Sequence, residues 1–284
     1  MNMMWKFSSY QHLHLAMEDE IQCYLESTRD ISTTPDSSSS SSYAFLGPKT
    51  WGSIGYCNGK QQSPINIVTK DVPSNPCLGP LTFTGYEDRG RPKILRNDGH
   101  TKIEMKSGAS ISSAGLPATY YLQSFHFHWG TFNHRGSEHA INGLHYLMEM
   151  HLVHTKDGMS MEKAGRDPQG IRLWTSQKPY NSVELNGEFS LGSLLSLADL
   201  STYYQYHGSL TTPDCNEAVM WIIYPEPILA KKFTNSLYYT TVEENRKMQK
   251  NYRPLQPRNN REVLCFQEQE YMHYKDYCAA QKKV

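Results

Sequence analysis

The sequence predicts a mainly β fold of the α+β class, with a few short helices and long loops. Three observations predict it. Tyr120–Trp129 (YYLQSFHFHW), Leu144–Val153 (LHYLMEMHLV) and Ala218–Tyr224 (AVMWIIY) are rich in aromatic, β-branched and other apolar residues and lie between Gly, Pro, Asn or Asp, as strands do. The chain carries 19 Gly and 15 Pro, enough for many turns. Helical periodicity is sparse, and Phe189–Ala198 (FSLGSLLSLA) is the best short helix.

Taken in order, residues 1–42 read as a leader. Thr33–Ser42 is mainly Ser with Pro35 and Asp36, a composition that cannot bury a core, although residues 10–25 could form a short helix. Residues 43–264 hold the apolar and aromatic runs and read as one domain. Residues 265–284 are polar, with several Tyr and Lys, and read as a C-terminal tail. The 284 residues carry 28 Lys+Arg against 28 Asp+Glu, a balance that gives no argument for a nucleic-acid partner or a charged membrane surface. No run approaches the roughly 18 apolar residues of a membrane span. The N-terminus meets Glu18, Asp19 and Glu20 before any sustained apolar stretch, so it does not read as a secretory signal. Six Cys permit disulfides, and their spacing leaves the pairing open.

The chemistry is concentrated in two strands. His126 and His128 are two residues apart, so in a strand both imidazoles stand on one face, with Phe125, Phe127 and Trp129 on the other. His12 and His14 repeat that spacing in the leader without a third ligand nearby, and the bland reading holds there. Glu149 and His151 share a face of the next strong strand. If the two strands are neighbours, His151 completes a three-nitrogen set that leaves a fourth tetrahedral position open, as a catalytic zinc site requires. Glu149 is then the natural acceptor for a ligand N–H, fixing its tautomer and ring angle.

SFHFHWG (124–130), GSEHAINGLHYLMEMHLVH (136–154), QSPINI (62–67), GSLTTPDCNEAVMW (208–221) and NYRPLQPRNNREV (251–263) resemble segments of the alpha-class carbonic anhydrases, in the family's order. The resemblance runs from about Tyr43 to Val263. It implies a single domain around a large central, mostly antiparallel twisted sheet with short peripheral helices. It also implies Zn2+ as cofactor and reversible hydration of carbon dioxide to bicarbonate and a proton. By position, His126, His128 and His151 match the zinc ligands. Thr211 matches the residue that orients the attacking hydroxide, and Glu138 the carboxylate that takes the Thr proton. Thr212 lies on the substrate side, and Val153, Leu210, Val219 and Trp221 match the apolar wall for carbon dioxide. His100, in NDGH, matches the proton shuttle, a task suited to a solvent-facing His with a pKa near about 6.5. His139 and His154, close to the ligands in sequence, read as structural. Secreted and membrane-bound branches of the family carry a disulfide at the places of Cys57 and Cys215. That pairing implies an extracellular location, against which stand the missing signal and a cytoplasmic reading with free thiols.

Two departures stand out. Ser124 occupies a position where the family often has Gln, a partner of the first His ligand. After Asp167–Ile171 the family continues into a long apolar core strand, whereas this chain reads RLWTSQKPYNSVELNGE. One core strand is therefore expected to be missing, as if by an internal deletion after Ile171. An active enzyme and an impaired or non-catalytic relative, acting as a binding or matrix protein or as a misfolded isoform, are the two functional expectations. The sequence gives no oligomeric state.

Overall fold

A computed structural model describes residues 48–89, 93–97, 101–105, 108–131, 135–164, 182–185, 190–196, 198–225 and 250–281. The first half of the chain gives β1 (Asn66–Ile67), β2 (Thr82–Thr84), β3 (Lys93–Asn97), β4 (Thr101–Met105), β5 (Ser110–Ser112), β6 (Tyr120–Trp129) and β7 (Ala140–Ile141). The second half gives β8 (Met148–Lys156), β9 (Ser182–Leu185), β10 (Thr202–Gly208), β11 (Val219–Ile223) and β12 (Val263–Gln267). Among the described residues the α-helices are α1 (Met161–Ala164), α2 (Leu191–Leu195) and α3 (Glu268–Gln281). The mainly β expectation holds. The apolar runs that predicted strands became β6, β8 and β11, and the short helix became α2.

Among the described residues the strands form a seven-stranded sheet, a three-stranded sheet and a small parallel pair. In the first, β2-β5-β6-β4-β3-β9 is a continuous path and β8 lines the other edge of β6. The second has the order β11-β10-β12. Every pairing in these two sheets is antiparallel. β1 and β7 pair in parallel, placing Asn66 beside Ala140.

β6 is buried on both faces beyond Gln123, where a bulge resets its phase. Its register with β8 slips between Leu122 and Ser124, so Gln123 is the extra residue. A bulge shifts the in–out alternation by one. Tyr120 and Leu122 before it, and Phe125, Phe127 and Trp129 after it, all enter one core with Tyr86, Ile111 and Leu191. Burying each such side chain stabilises by about 1.5–3 kcal/mol. The opposite face past the bulge carries Ser124, His126 and His128. A second core on that side gathers Ile65, Ile67, Val153, Tyr204, Tyr206, Leu210, Val219, Trp221 and Val263.

The segment from Cys265, read from the sequence as a polar tail, carries regular structure. Cys265–Gln267 complete β12, and α3 follows directly, docked by a Cys77–Cys278 disulfide onto the 3-10 turn Pro76–Leu78. Ser74 Oγ donates to Glu270, and Tyr271 packs near Phe266. Leu144–Val153 also begins later as a strand than its apolar content predicts. Asn142 and Gly143 turn the chain with φ of 52° and 79°, and Leu144 and Leu147 are left exposed. Residues 1–42, the helix expected at 10–25 and the broken stretch from Ile171 to Asn181 lie outside the described residues.

Candidate metal centre

The antiparallel register of β6 and β8 builds the site. His126 stands opposite His151, and His128 opposite Glu149, so all four project from one face. His126 Nε2 and His128 Nε2 are 3.0 Å apart, and each lies 3.2 Å from His151 Nδ1. All three rings are buried.

Three mutually close ring nitrogens are not a hydrogen-bond network. Each nitrogen either carries a proton or presents a lone pair. With two classes and three atoms, at least one pair must be alike and repel. The outer nitrogens sharpen the point. His128 Nδ1 lies 2.8 Å from the Asn251 carbonyl, and His151 Nε2 lies 2.6 Å from Glu149 Oε1. Both outer nitrogens must donate there, so His128 Nε2 and His151 Nδ1 turn bare lone pairs toward each other. A cation relieves that repulsion. Tetrahedral ligands at about 2.0–2.1 Å from zinc stand about 3.3 Å from one another. The donor set, its spacing and its tautomers fit zinc.

Around the triangle lies a carboxylate on each side. Glu149 Oε1 also lies 2.7 Å from His139 Nδ1, and its Oε2 accepts the His139 backbone N–H at 2.7 Å. Burial works against its charge, but His139 and then His151 hold the carboxyl well below the usual range. His139 Nε2 in turn meets the Tyr206 hydroxyl at 2.7 Å. Glu138 is buried, with Oε1 accepting the Arg253 N–H at 2.7 Å. Burial, then the charge of Glu149, push its carboxyl well above the usual range, while Arg253 N–H and the Thr211 hydroxyl act in the opposite sense. Glu138 Oε2 and Thr211 Oγ1 are both buried without a hydrogen-bond partner in bonding geometry. The hydroxyl is nevertheless near enough to ease the carboxylate's charge.

The loop carrying Thr211 and Thr212 is held on three sides. Cys57 and Cys215 form a disulfide, Gln62 Nε2 donates to the Cys215 carbonyl at 3.1 Å, and Trp221 Nε1 donates to the Ser209 carbonyl at 3.1 Å. Thr212 is buried beside Thr211. Val153, Leu210, Val219 and Trp221 belong to one apolar cluster, and the Trp221 ring lies 4.9 Å from the His151 ring. Of the residues expected at a site, His126, His128, His151, Glu138, Glu149, Thr211 and this cluster are thus brought together. His100 lies outside the described residues.

Several participants had no local sequence signal. Asn251 caps His128 and clamps the end of β6, its Oδ1 accepting the Trp129 N–H at 2.6 Å. Arg253 joins Glu138 to Cys57, Gln62 and Ser63. Both come from the late segment NYRPLQPRNNREV, where only the resemblance hinted at importance. His139 and Tyr206 bear on Glu149 from separate elements. His139, Glu149 and His151 also gather closely enough to suggest a second ligand set. Their closeness comes from the shared Glu149 oxygen, a hydrogen-bonded bridge between two rings.

The family model of the eukaryotic-type carbonic anhydrases matches residues 46–175 and 171–267. Carbonic anhydrase 4 of Mus musculus is 36% identical over 272 residues, covering 87% of this chain and 85% of that protein. Carbonic anhydrase 15 of Mus musculus is 33% identical over 255 residues, covering 76% of this chain and 79% of that protein. Carbonic anhydrase 6 of Bos taurus is 34% identical over 238 residues, covering 73% of each. With the three-imidazole centre on β6 and β8, these matches establish that the chain belongs to the eukaryotic-type carbonic anhydrase family.

Proposed function

We propose that this protein catalyses the reversible hydration of carbon dioxide to bicarbonate and a proton, with zinc held by His126, His128 and His151. The observation that carries the reading is the closed triangle of ring nitrogens at 3.0–3.2 Å, in which the facing lone pairs of His128 Nε2 and His151 Nδ1 favour a cation between them. Zinc bound there supplies Lewis acidity that brings the pKa of water to about 7, the value established for carbonic anhydrase itself.

The chain's own residues do the rest. Glu149 and the Asn251 carbonyl hold the outer protons of His151 and His128, keeping their inner lone pairs directed at the metal. A positive charge in the triangle favours the ionised form of Glu138 against the effect of burial. With Oε1 occupied by Arg253 N–H, Glu138 has Oε2 free to take the single Thr211 proton. Thr211 can then only accept, and so orients the nucleophile with a lone pair toward the substrate. Val153, Leu210, Val219 and Trp221 form a wall that favours apolar carbon dioxide over charged bicarbonate, with Thr212 at the polar edge. His100 carries the product proton to solvent. Residues 43–264 form the catalytic domain.

A second reading, a relative that binds metal but turns over poorly or not at all, has one observation in its favour. Among the described residues β8 and β11 end two separate sheets, and the resemblance expects one more core strand in the central sheet. Stopped-flow carbon dioxide hydration on zinc-loaded protein separates the two. Turnover that His151→Ala removes together with stoichiometric zinc, and that His100→Ala slows only in dilute buffer, is the expected result. Stoichiometric zinc without turnover would establish the second reading, and equal zinc in His151→Ala would sink the ligand assignment. The disulfides Cys57–Cys215 and Cys77–Cys278 support an oxidising, extracellular location, since such bonds do not persist in a reducing cytosol. Among the described residues no helix is long and apolar enough to cross a membrane.

A further inference from the structure

On the face of the three-stranded sheet turned away from the metal, a carboxamide sits where its neighbours call for an apolar side chain. β10 sends Tyr204 and Tyr206 into the core on the metal side, so Tyr203, Gln205 and His207 project from the opposite face. The register sets Gln205 between Ile222 of β11 and Leu264 of β12, and His207 beside Met220. Gln205 is only 8% exposed, yet among the described residues its carboxamide has no hydrogen-bond partner. Nor is it sealed in, because it lines a cleft of about 560 Å³ that opens to solvent. A nearly buried amide without a partner is costly, and an apolar side chain would match the two residues beside it.

The rim of the cleft is built from two segments far apart in sequence. Asn259 Nδ2 ties them together by donating to the Lys60 carbonyl at 2.5 Å. Arg261 is the fixed part of the wall. Its guanidinium donates to the carbonyls of Gln62, His207, Pro257 and Arg258 at 2.7–3.1 Å, and no carboxylate shares those bonds. Lys60 and Glu262 line the same cleft, and among the described residues neither has an ion-pair partner. Glu262 immediately precedes β12, whose Leu264 forms the floor together with Met220. The cleft therefore offers a cation at Lys60, a carboxylate at Glu262, a carboxamide at Gln205 and an apolar floor.

We propose that this cleft binds a short peptide of dipeptide size with both termini free. A peptide group presents one N–H and one C=O, and a carboxamide can accept from the first and donate to the second. A free carboxylate suits Lys60 and a free ammonium suits Glu262, each through a charge-assisted hydrogen bond. The apolar floor takes a side chain. A plain anion would face Glu262 with like charge, and a plain cation would face Lys60 and Arg261. A ligand with both charges meets both. The volume falls within the roughly 300–1,000 Å³ of small-ligand sites. None of the residues assigned to zinc or to carbon dioxide lines the cleft, so the inference goes beyond the hydration reading and does not rest on it.

Glycyl-L-leucine is the probe, titrated into the isotope-labelled full chain. NMR follows the Gln205 side-chain amide, and calorimetry gives Kd. The expected result is a saturable shift of that amide. N-acetylglycyl-L-leucine and glycyl-L-leucinamide each lack one charge and should bind about tenfold more weakly. Lys60→Met should weaken glycyl-L-leucine about tenfold and leave the urea midpoint unchanged. Gln205→Leu should weaken it to a similar degree and hold or raise the midpoint, because it removes an amide that the fold leaves unpartnered. No saturable shift in the parent overturns the proposal. Equal binding of either blocked analogue also overturns it, since one charge would then suffice. A lower urea midpoint in Gln205→Leu overturns it as well, by assigning the carboxamide to the fold.

Discussion

His154 lies only three residues beyond the proposed ligand His151, but it faces the other side of β8 and has a different chemistry. Its Nε2 meets the Tyr86 hydroxyl at 2.5 Å, and its Nδ1 donates to the Leu152 carbonyl at 3.1 Å. Burial pushes its pKa down to about 4, so the folded protein holds it neutral. The unfolded chain protonates it near its ordinary value of about 6.5. The stability it contributes is therefore complete above about pH 6.5 and is lost as pH falls toward 4, by an amount on the order of 3 kcal/mol. His154→Phe forfeits the Tyr86 hydrogen bond and lowers stability at neutral pH, yet its stability should fall less steeply between pH 6.5 and 4. Urea unfolding of metal-free parent and variant across that range measures this; parallel slopes would remove His154 from the titration. The clustering of His126, His128 and His151 was legible at this scale because a strand repeats every two residues, and the spacing of His126 and His128 has one physical consequence. Asn251 was not, because it reaches His128 across 123 residues and nothing in its neighbourhood marks it as a cap.

At the scale of elements, the strand content was readable and the phase within strands was not. A simple alternation through β6 puts Tyr120 and Leu122 on the face of His126. The bulge at Gln123 moves them into the opposite core, and it depends on the register with β8, which no local pattern encodes. Helix α3 had no helical signal in the sequence for a related reason. EQEYMHYKDYCAAQ has no apolar stripe, so its docking comes from a covalent bond to a distant turn rather than from its own burial. Cys77 and Cys278 are 201 residues apart, and closing so long a loop stabilises by roughly 5 kcal/mol where chain entropy dominates. Replacing both with Ala should lower the urea midpoint by a corresponding amount and expose α3 to protease, while zinc affinity stays unchanged because β6 and β8 carry the ligands. An unchanged midpoint would mean that α3 is docked by Phe266 and Tyr271 alone.

The whole molecule turns on the relation between its two main sheets. The family model matches in two stretches that overlap at 171–175, and the sequence after Ile171 reads RLWTSQKPYNSVELNGE. In the structure, β8 pairs only with β6 and β11 only with β10 among the described residues. The two edges still meet through side chains. On the metal side, Val153 shares a core with Val219 and Trp221; on the other, Met150, Leu152, Met220 and Ile222 pack against the same cluster. Among the described residues the fold is thus continuous in its cores and discontinuous in its backbone ladder. Apolar edges of this kind, with neither Pro nor a central Lys, are templates for further strands. Hydrogen exchange should therefore divide β8 and β11 residue by residue. Amides directed at β6 and β10 are paired and should exchange slowly; the alternate amides, directed at the opposing edge, should exchange orders of magnitude faster. Uniform protection along β8 at low protein concentration would mean that another segment of the chain fills the interval. Protection that appears only as concentration rises would mean that a second copy does. Fast alternate exchange together with carbon dioxide hydration would mean that two side-chain cores suffice to hold three histidines in register without the ladder between them.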